Sequence, residues 1–230
     1  MSDTDPLSPL ASELIRHEPG AYAKLVVLGS TPAAARTLLA DVTAEQLLAV
    51  PLKSHIAASA MLAGLWLWHD ALSECHHIAQ KDPEELAAPR PPASPSRLTQ
   101  LTQAPPTSPD LSRDADPAFR KDMTQTLAFW HAIMHRREGD FSNSKYWYAR
   151  VGRHPMLQVV GAHAGAAINH LPADKSLLRL MRDGWDANAF VDLVEDVSRR
   201  PDDPRLPTVI AIQCIEWQIL FDHCTRQAAA

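Results

Sequence analysis

The feature that most constrains this chain is a helical hairpin written between Trp130 and Trp147. Residues from about Asp122 to Glu138 follow a helical pattern, Gly139-Asp140 turns the chain, and a second helical stretch runs from about Ser142 to Val151 before Pro155 stops it. Two helices joined by so short a turn pack antiparallel, and nearly every other signal in the chain is also helical. Leu7 to His17 reads as a short amphipathic helix. Thr31-Pro32 reads as an N-cap with proline at the first helical position before Ala33–Leu39, and Thr43-Ala-Glu-Gln46 as a capping box. Only Ala21–Leu28 could be a strand, and it lacks a pairing partner, so it reads as helix or irregular chain.

Ser54 to Gln80 reads as one long helix rich in alanine and leucine, with Gly64 as its single interior turn signal. Met156–His170 carries Gly161, Ala162, Ala164, Gly165, Ala166 and Ala167, which predicts close packing in the centre of a bundle. Further helices are expected over Asp174–Asp183, Asp186–Arg199 and Thr208–Gln227, with a proline-punctuated turn at Pro201–Pro207. Residues 82–121 differ. Nine of the chain's 19 prolines lie between Asp82 and Asp122, and so little apolar surface cannot offset ordering entropy, which predicts a flexible loop or insertion, with a lid as the alternative. The fold class expected is all-α, a single-domain irregular helical bundle over residues 1–230 with a long Pro-rich loop, although the length would also admit two small domains.

The net charge of −5 gives no reason to expect nucleic acid or a membrane as partner. The longest apolar run, around Ile56 to Trp68, is too short and too polar at its end for a membrane span. Cys75, Cys214 and Cys224 are an odd set without CxxC spacing, and the N-terminus shows no secretory pattern, so the expectation is a reducing, cytoplasmic setting. Cys75 reads as a small buried hydrophobe rather than a nucleophile.

The hairpin also concentrates the chemistry. His131, His135 and Glu138 fall at i, i+4 and i+7, within roughly 60° around the helix axis. His-x₃-His on a helix lets two imidazoles converge on one metal ion, with a carboxylate nearby as ligand or general base. His69 with His76, and Glu216 with His223, repeat the seven-residue spacing on two other helices. His69, His76, His131, His135, Glu216 and His223 are therefore candidate ligands for a divalent transition metal such as zinc, and His131, His135, Glu138 and His76 are candidate catalytic groups. Between Trp130 and Pro155, five basic residues oppose two acidic ones. Arg136, Arg137, Asn143, Lys145, Tyr146 and Trp147 are thus candidates for binding a small anion, a phosphate or carboxylate, beside the N-terminus of the second hairpin helix. Equally open is a staple in which Arg136 or Arg137 pairs with Glu138, Asp140 or Asp70. The remaining tryptophans read as core and pocket walls.

Trp66-Leu-Trp-His-Asp70, His76 and Gln80, Trp130-His-Ala-Ile-Met-His-Arg-Arg-Glu-Gly-Asp-Phe-Ser-Asn-Ser-Lys-Tyr-Trp147, Arg150-Val-Gly-Arg-His-Pro155 and Glu216-Trp-Gln-Ile-Leu-Phe-Asp-His-Cys224 together resemble a family of uncharacterised helical proteins found in bacteria and fungi. The resemblance covers about Leu52 to the C-terminus. It implies a helical fold, brings no established activity or cofactor, and makes the Pro-rich segment an expansion of a shorter connection. One hairpin resembles a tetratricopeptide unit in outline, but no second copy follows at the required period. Three functions remain: an enzyme doing acid–base work, with or without a metal, on a small anionic substrate; a non-catalytic sensor or binding protein for such an anion; and a helical interaction module whose polar cluster is structural.

Overall fold

The computed structural model describes residues 6–16, 22–87, 111–168, 177, 179–180 and 184–230. Over them the protein is all-α. In chain order the helices are α1 (Pro9–Arg16), α2 (Ala33–Leu39), α3 (His55–Trp68), α4 (Leu72–Ala79), α5 (Pro83–Ala87), α6 (Pro117–Glu138), α7 (Phe141–Val151), α8 (Pro155–Ile168), α9 (Ala187–Ser198) and α10 (Leu206–Ala229), with 3-10 turns at Ala44–Leu47 and Ser112–Ala115. Residues 22–28 are irregular, and the extended pairing among the described residues includes the isolated bridge between Leu7 and Leu48. The helix expected at Asp174–Asp183 and the end of the one expected at Met156–His170 fall largely outside the described residues, as do positions 88–110 of the Pro-rich segment.

Helix α6 is the axis of the bundle. Every residue from Thr126 to Arg137 is buried, because α3, α4 and α7 pack around it. Asp116 accepts from Ala118 N (2.9 Å) with Pro117 at the first turn, and Gly139, at φ 89°, ends the helix in the left-handed conformation that glycine adopts without strain. Asp140 then accepts from Asn143 N (3.1 Å) and opens α7. The hairpin is built as expected, except that α6 begins five residues earlier, inside the Pro-rich segment.

That segment is structured at both described ends. Helix α5 occupies its start, and Asp114 near its end is buried, taking the Ser54 hydroxyl (2.5 Å) and His55 N (2.8 Å) at the head of α3. A carboxylate on the free amides of a helix start is favourable charge on the helix dipole. Loop character therefore fails at residues 83–87 and 111–121.

The single helix expected over Ser54–Gln80 is two. The chain breaks at Asp70, which sits at φ 58°, and Ala71 N reaches back to Trp66 O (2.9 Å) in a Schellman-type closure. Aspartate tolerates the left-handed region better than most residues. Arg137 compensates the break, since its guanidinium binds Asp70 Oδ1 (2.6 Å) and takes the Leu67 carbonyl (2.8 Å) freed at the end of α3. Two other expectations shift. Thr31 does not cap α2, because its hydroxyl is spent on Glu74 of α4. Helix α8 is peripheral rather than central: its small residues let it approach α10, but Gln158, Val159, Ala162, His163 and Ala166 face solvent.

The tryptophans behave as core. Trp130 is fully buried, Trp217 donates to Gly64 O (2.8 Å), and Trp68 lies 4.4 Å from Trp217, centroid to centroid. Gly64 is where α3 lets these rings in, for a Cβ there would lie 2.7 Å from Trp130 Cζ2 and 3.1 Å from Phe221 Cδ2. Gly64→Ala is expected to cost about 1–3 kcal/mol in urea unfolding despite alanine's better helix propensity. An unchanged or raised midpoint would show that Trp130 is free to shift.

Candidate metal centre

Three of the candidate histidines meet. His131 and His135, one turn apart on α6, stack at 4.8 Å, and His76 of α4 stands edge-on to them at 4.6 Å and 5.5 Å. One ring nitrogen from each lies within 4.8 Å of the others. Ligand atoms around a tetrahedral zinc ion lie about 3.3 Å apart, so small ring rotations would close the set on one ion. The break at Asp70 makes this meeting possible by turning α4 toward α6. A continuous helix would instead have placed His76 on the stripe of His69.

His131 is the unusual member. It is 2 % exposed, its ring lies flat against Trp147 at 3.8 Å, and neither of its nitrogens has a hydrogen-bond partner. Burying a polar ring unpaired is costly, since the lost hydration is not replaced. Burial, with His135 and His76 adding, pushes its pKa down to about 3, so the ring is neutral and keeps a lone pair for a metal. Burial also lowers the pKa of His135, although Glu138 opposes it. Its Nδ1 donates to Glu138 Oε2 (3.0 Å) while its Nε2 accepts from the Asn143 amide (3.1 Å). The carboxylate therefore selects the tautomer whose Nε2 carries the lone pair, as carboxylates behind metal-bound histidines do, and the Asn143 side chain now on that lone pair is the group an ion would displace.

A cleft of about 400 Å³ opens beside the cluster. His76, His135 and Glu138 line it together with Leu72, Ser73, Met134 and the irregular segment from Val27 to Thr31. That segment is pinned at both ends: Val27 N donates to Arg137 O (2.7 Å), and Thr31 and Ser73 donate to Glu74, which also pairs with Arg36 (3.0 Å).

The remaining candidates sit elsewhere. Arg136 is fully buried and binds Glu216 Oε2 (2.5 Å) and the Tyr148 hydroxyl (2.8 Å), and Tyr148 donates to Glu216 Oε1 (2.6 Å), so Glu216 belongs to an internal ion pair and not to the histidine cluster. Arg137 is equally buried, on Asp70, Leu67 O and Lys24 O, with Tyr22 stacked at 4.0 Å. Both arginines act as staples, and neither faces the cleft. Lys145 pairs with Asp192 of α9, and Tyr146 is exposed beneath Arg150. His69 bonds Leu14 O (3.0 Å) under α1. Asn143 and Trp147, proposed as anion contacts, lie against His135 and His131. Cys75 is buried, which drives its thiol pKa up, in keeping with a small hydrophobe.

His223 joins a second cluster that the spacing did not reveal, with Asp122 of α6 (3.4 Å) and His154. Its composition suits a metal, but its hydrogen bonds do not. His154 caps α8, its Nδ1 accepting from Met156 N (3.3 Å), so its proton is on Nε2, which faces the Thr126 hydroxyl at 3.0 Å. His154 thus has no lone pair left for an ion, and its acceptor nitrogen is held by a main-chain amide that cannot swing aside as the Asn143 side chain can. The signal for this role was the His154-Pro155 pair itself, a polar residue before a proline at a helix start.

Comparison with family models, curated proteins and solved structures finds no match to this chain. The class that the fold and the site define is thus an all-α protein with a three-histidine cluster, two of its members buried, beside an open cleft. No described helix is long and apolar enough to cross a membrane.

Proposed function

We propose that the protein is an enzyme in which His76, His131 and His135 hold one divalent transition metal, zinc being the type ion, and Glu138 supports acid–base work in the adjoining cleft. The observation that carries this reading is His131, a neutral imidazole buried with both nitrogens unpartnered between two further imidazoles. Three protein ligands are the number that leaves a zinc ion an open position for water or substrate. Such an ion supplies Lewis acidity to an oxygen bound there. Glu138 fixes the tautomer of His135 and, being half-exposed on the cleft wall, is placed to take up or return a proton.

The anionic part of the substrate loses its carriers, since Arg136 and Arg137 are internal and Lys145 is paired away from the cleft. A sensor would use the same cleft without Glu138 as a proton acceptor. An interaction module fits poorly, because the large apolar side chains exposed among the described residues, Leu28, Tyr146 and Val159, form no patch. Membership of the uncharacterised helical family belongs to the same proposal and adds no activity to it.

The test is a cobalt and zinc titration of the full chain without an affinity tag. One equivalent is expected to bind, with a visible cobalt spectrum. His131→Ala should weaken uptake by roughly 100-fold or more while helix content stays unchanged, since even outer-shell changes at such sites cost about 10–100-fold. A folded parent protein that takes up neither metal, or an alanine variant with parental affinity, would remove the proposal.

A further inference from the structure

Resting on that reading, we infer that the ligand of this cleft carries a single oxygen function for the histidine centre and a short aliphatic group seated against Val27, Leu28 and Met134. The charge pattern supplies half of the case. Among the described residues none of the cleft's lining side chains is Lys or Arg, and its one acidic member, Glu138, is occupied with His135. A bound ion can satisfy one polarised or anionic oxygen, but a second charged group on the same molecule meets no cation. Dicarboxylates and phosphate esters are therefore poor fits, because a charge leaving water without a partner is costly.

The apolar surface supplies the other half. Leu28 is 86 % exposed on the segment that lines the cleft, where Gly29, at φ 105°, turns the chain. An exposed leucine alone means little. This one stands on a segment tied down on either side, by Val27 N to Arg137 O and by the Thr31 hydroxyl to Glu74, and it shares its cleft with Val27, Leu72 and Met134. Its position is thus held rather than incidental, in the same cleft as His76 and His135, whose volume suits a small molecule. A short ester, amide or other carbonyl compound with an aliphatic remainder has the matching chemistry, and Leu28 is the residue that selects chain length.

The experiment uses the cobalt-loaded full chain with acetate, butyrate and hexanoate, and with inorganic phosphate and succinate, read by the cobalt spectrum. Affinity is expected to rise roughly fourfold per methylene until the cleft is filled. Phosphate and succinate should bind at least about 10-fold more weakly than hexanoate, which is a difference of about 1.4 kcal/mol. Leu28→Ser should abolish most of the chain-length increment between acetate and hexanoate. Metal-free protein gives a second reading, in which hexanamide should shift the amide resonances of residues 27–31 at lower concentration than acetamide. That ranking without cobalt uptake would sink the metal centre alone. Chain-length independence in both measurements, or tighter binding of succinate or phosphate, would overturn the inference itself.

Discussion

Glu216→Leu is expected to lower the unfolding free energy by about 3–5 kcal/mol, the largest effect of any single substitution discussed here. Glu216, Arg136 and Tyr148 form a closed triangle with no exposure on either charged partner. Burial drives the Tyr148 pKa far up, so its hydroxyl stays a neutral donor to the carboxylate. With the carboxylate replaced by an apolar side chain of similar size, Arg136 keeps its charge, has the ring of Phe190 beneath it at 4.7 Å, and has no anion left. The penalty is that of the uncompensated guanidinium, not the net contribution of the pair. The double variant Arg136→Met, Glu216→Leu should therefore recover most of the loss, because well-packed apolar replacements of buried pairs are often neutral or better. Urea unfolding at neutral pH decides. A single-variant loss below about 1 kcal/mol would mean that water reaches the guanidinium, since only an exposed pair is worth so little.

The second large effect is a loss of stability in mild acid centred on His154. Burial, reinforced by His223 and opposed by Asp122, pushes its pKa down to about 4 from the usual 6.5. The folded value lies below the unfolded one, so the unfolded chain binds the extra proton between them. Stability is complete above about pH 6.5 and is lost as pH falls toward 4, by roughly 3 kcal/mol for this one group. The cap acts in the same direction as the burial, because a protonated His154 would turn an N–H toward Met156 N and break the start of α8. Metal-free His131 contributes a slope of the same sign, so the comparison must be between parent and variant. His154→Asn retains an acceptor at the cap and removes the titration, and should show a shallower fall in urea midpoint between pH 7.5 and pH 4.5. Parallel slopes would refute the assignment.

Local signals announced the hairpin well. A helical period on each side, a glycine that must adopt positive φ and an aspartate that caps the next helix are all properties of neighbouring residues, and so is the single face shared by His131 and His135. What escaped the sequence depends on distant contacts. Nothing in Trp66-Leu-Trp-His-Asp70 breaks a helix by itself, and the break exists because Arg137, 67 positions away, accommodates it. The selection of His76 over His69 as the third histidine follows from that break and was equally hidden. Arg136 and Arg137 left an anion site and an internal staple equally open, and the burial of α6 from Thr126 to Arg137 decides for the staple, with Asp70 the partner of Arg137 that was named and Glu216 the partner of Arg136 that was not. The peripheral position of α8 was missed for a related reason: small residues announce close approach on one face and say nothing about the opposite face.

Arg137 also bears on how such a protein can change. Of the four groups its guanidinium engages, Leu67 O and Lys24 O are carbonyls of the main chain, and the backbone carbonyl of Arg137 itself holds Val27 N. A contact of this kind recognises the path of the chain and is indifferent to which side chains that path carries. Val27, Leu28 and Ser30 can thus be exchanged without loosening the segment they stand on or moving the histidines of the cleft. Ligand preference and site assembly are separable in this scaffold, so a lineage could retune what the cleft accepts by single substitutions at its rim while inheriting the histidine cluster intact.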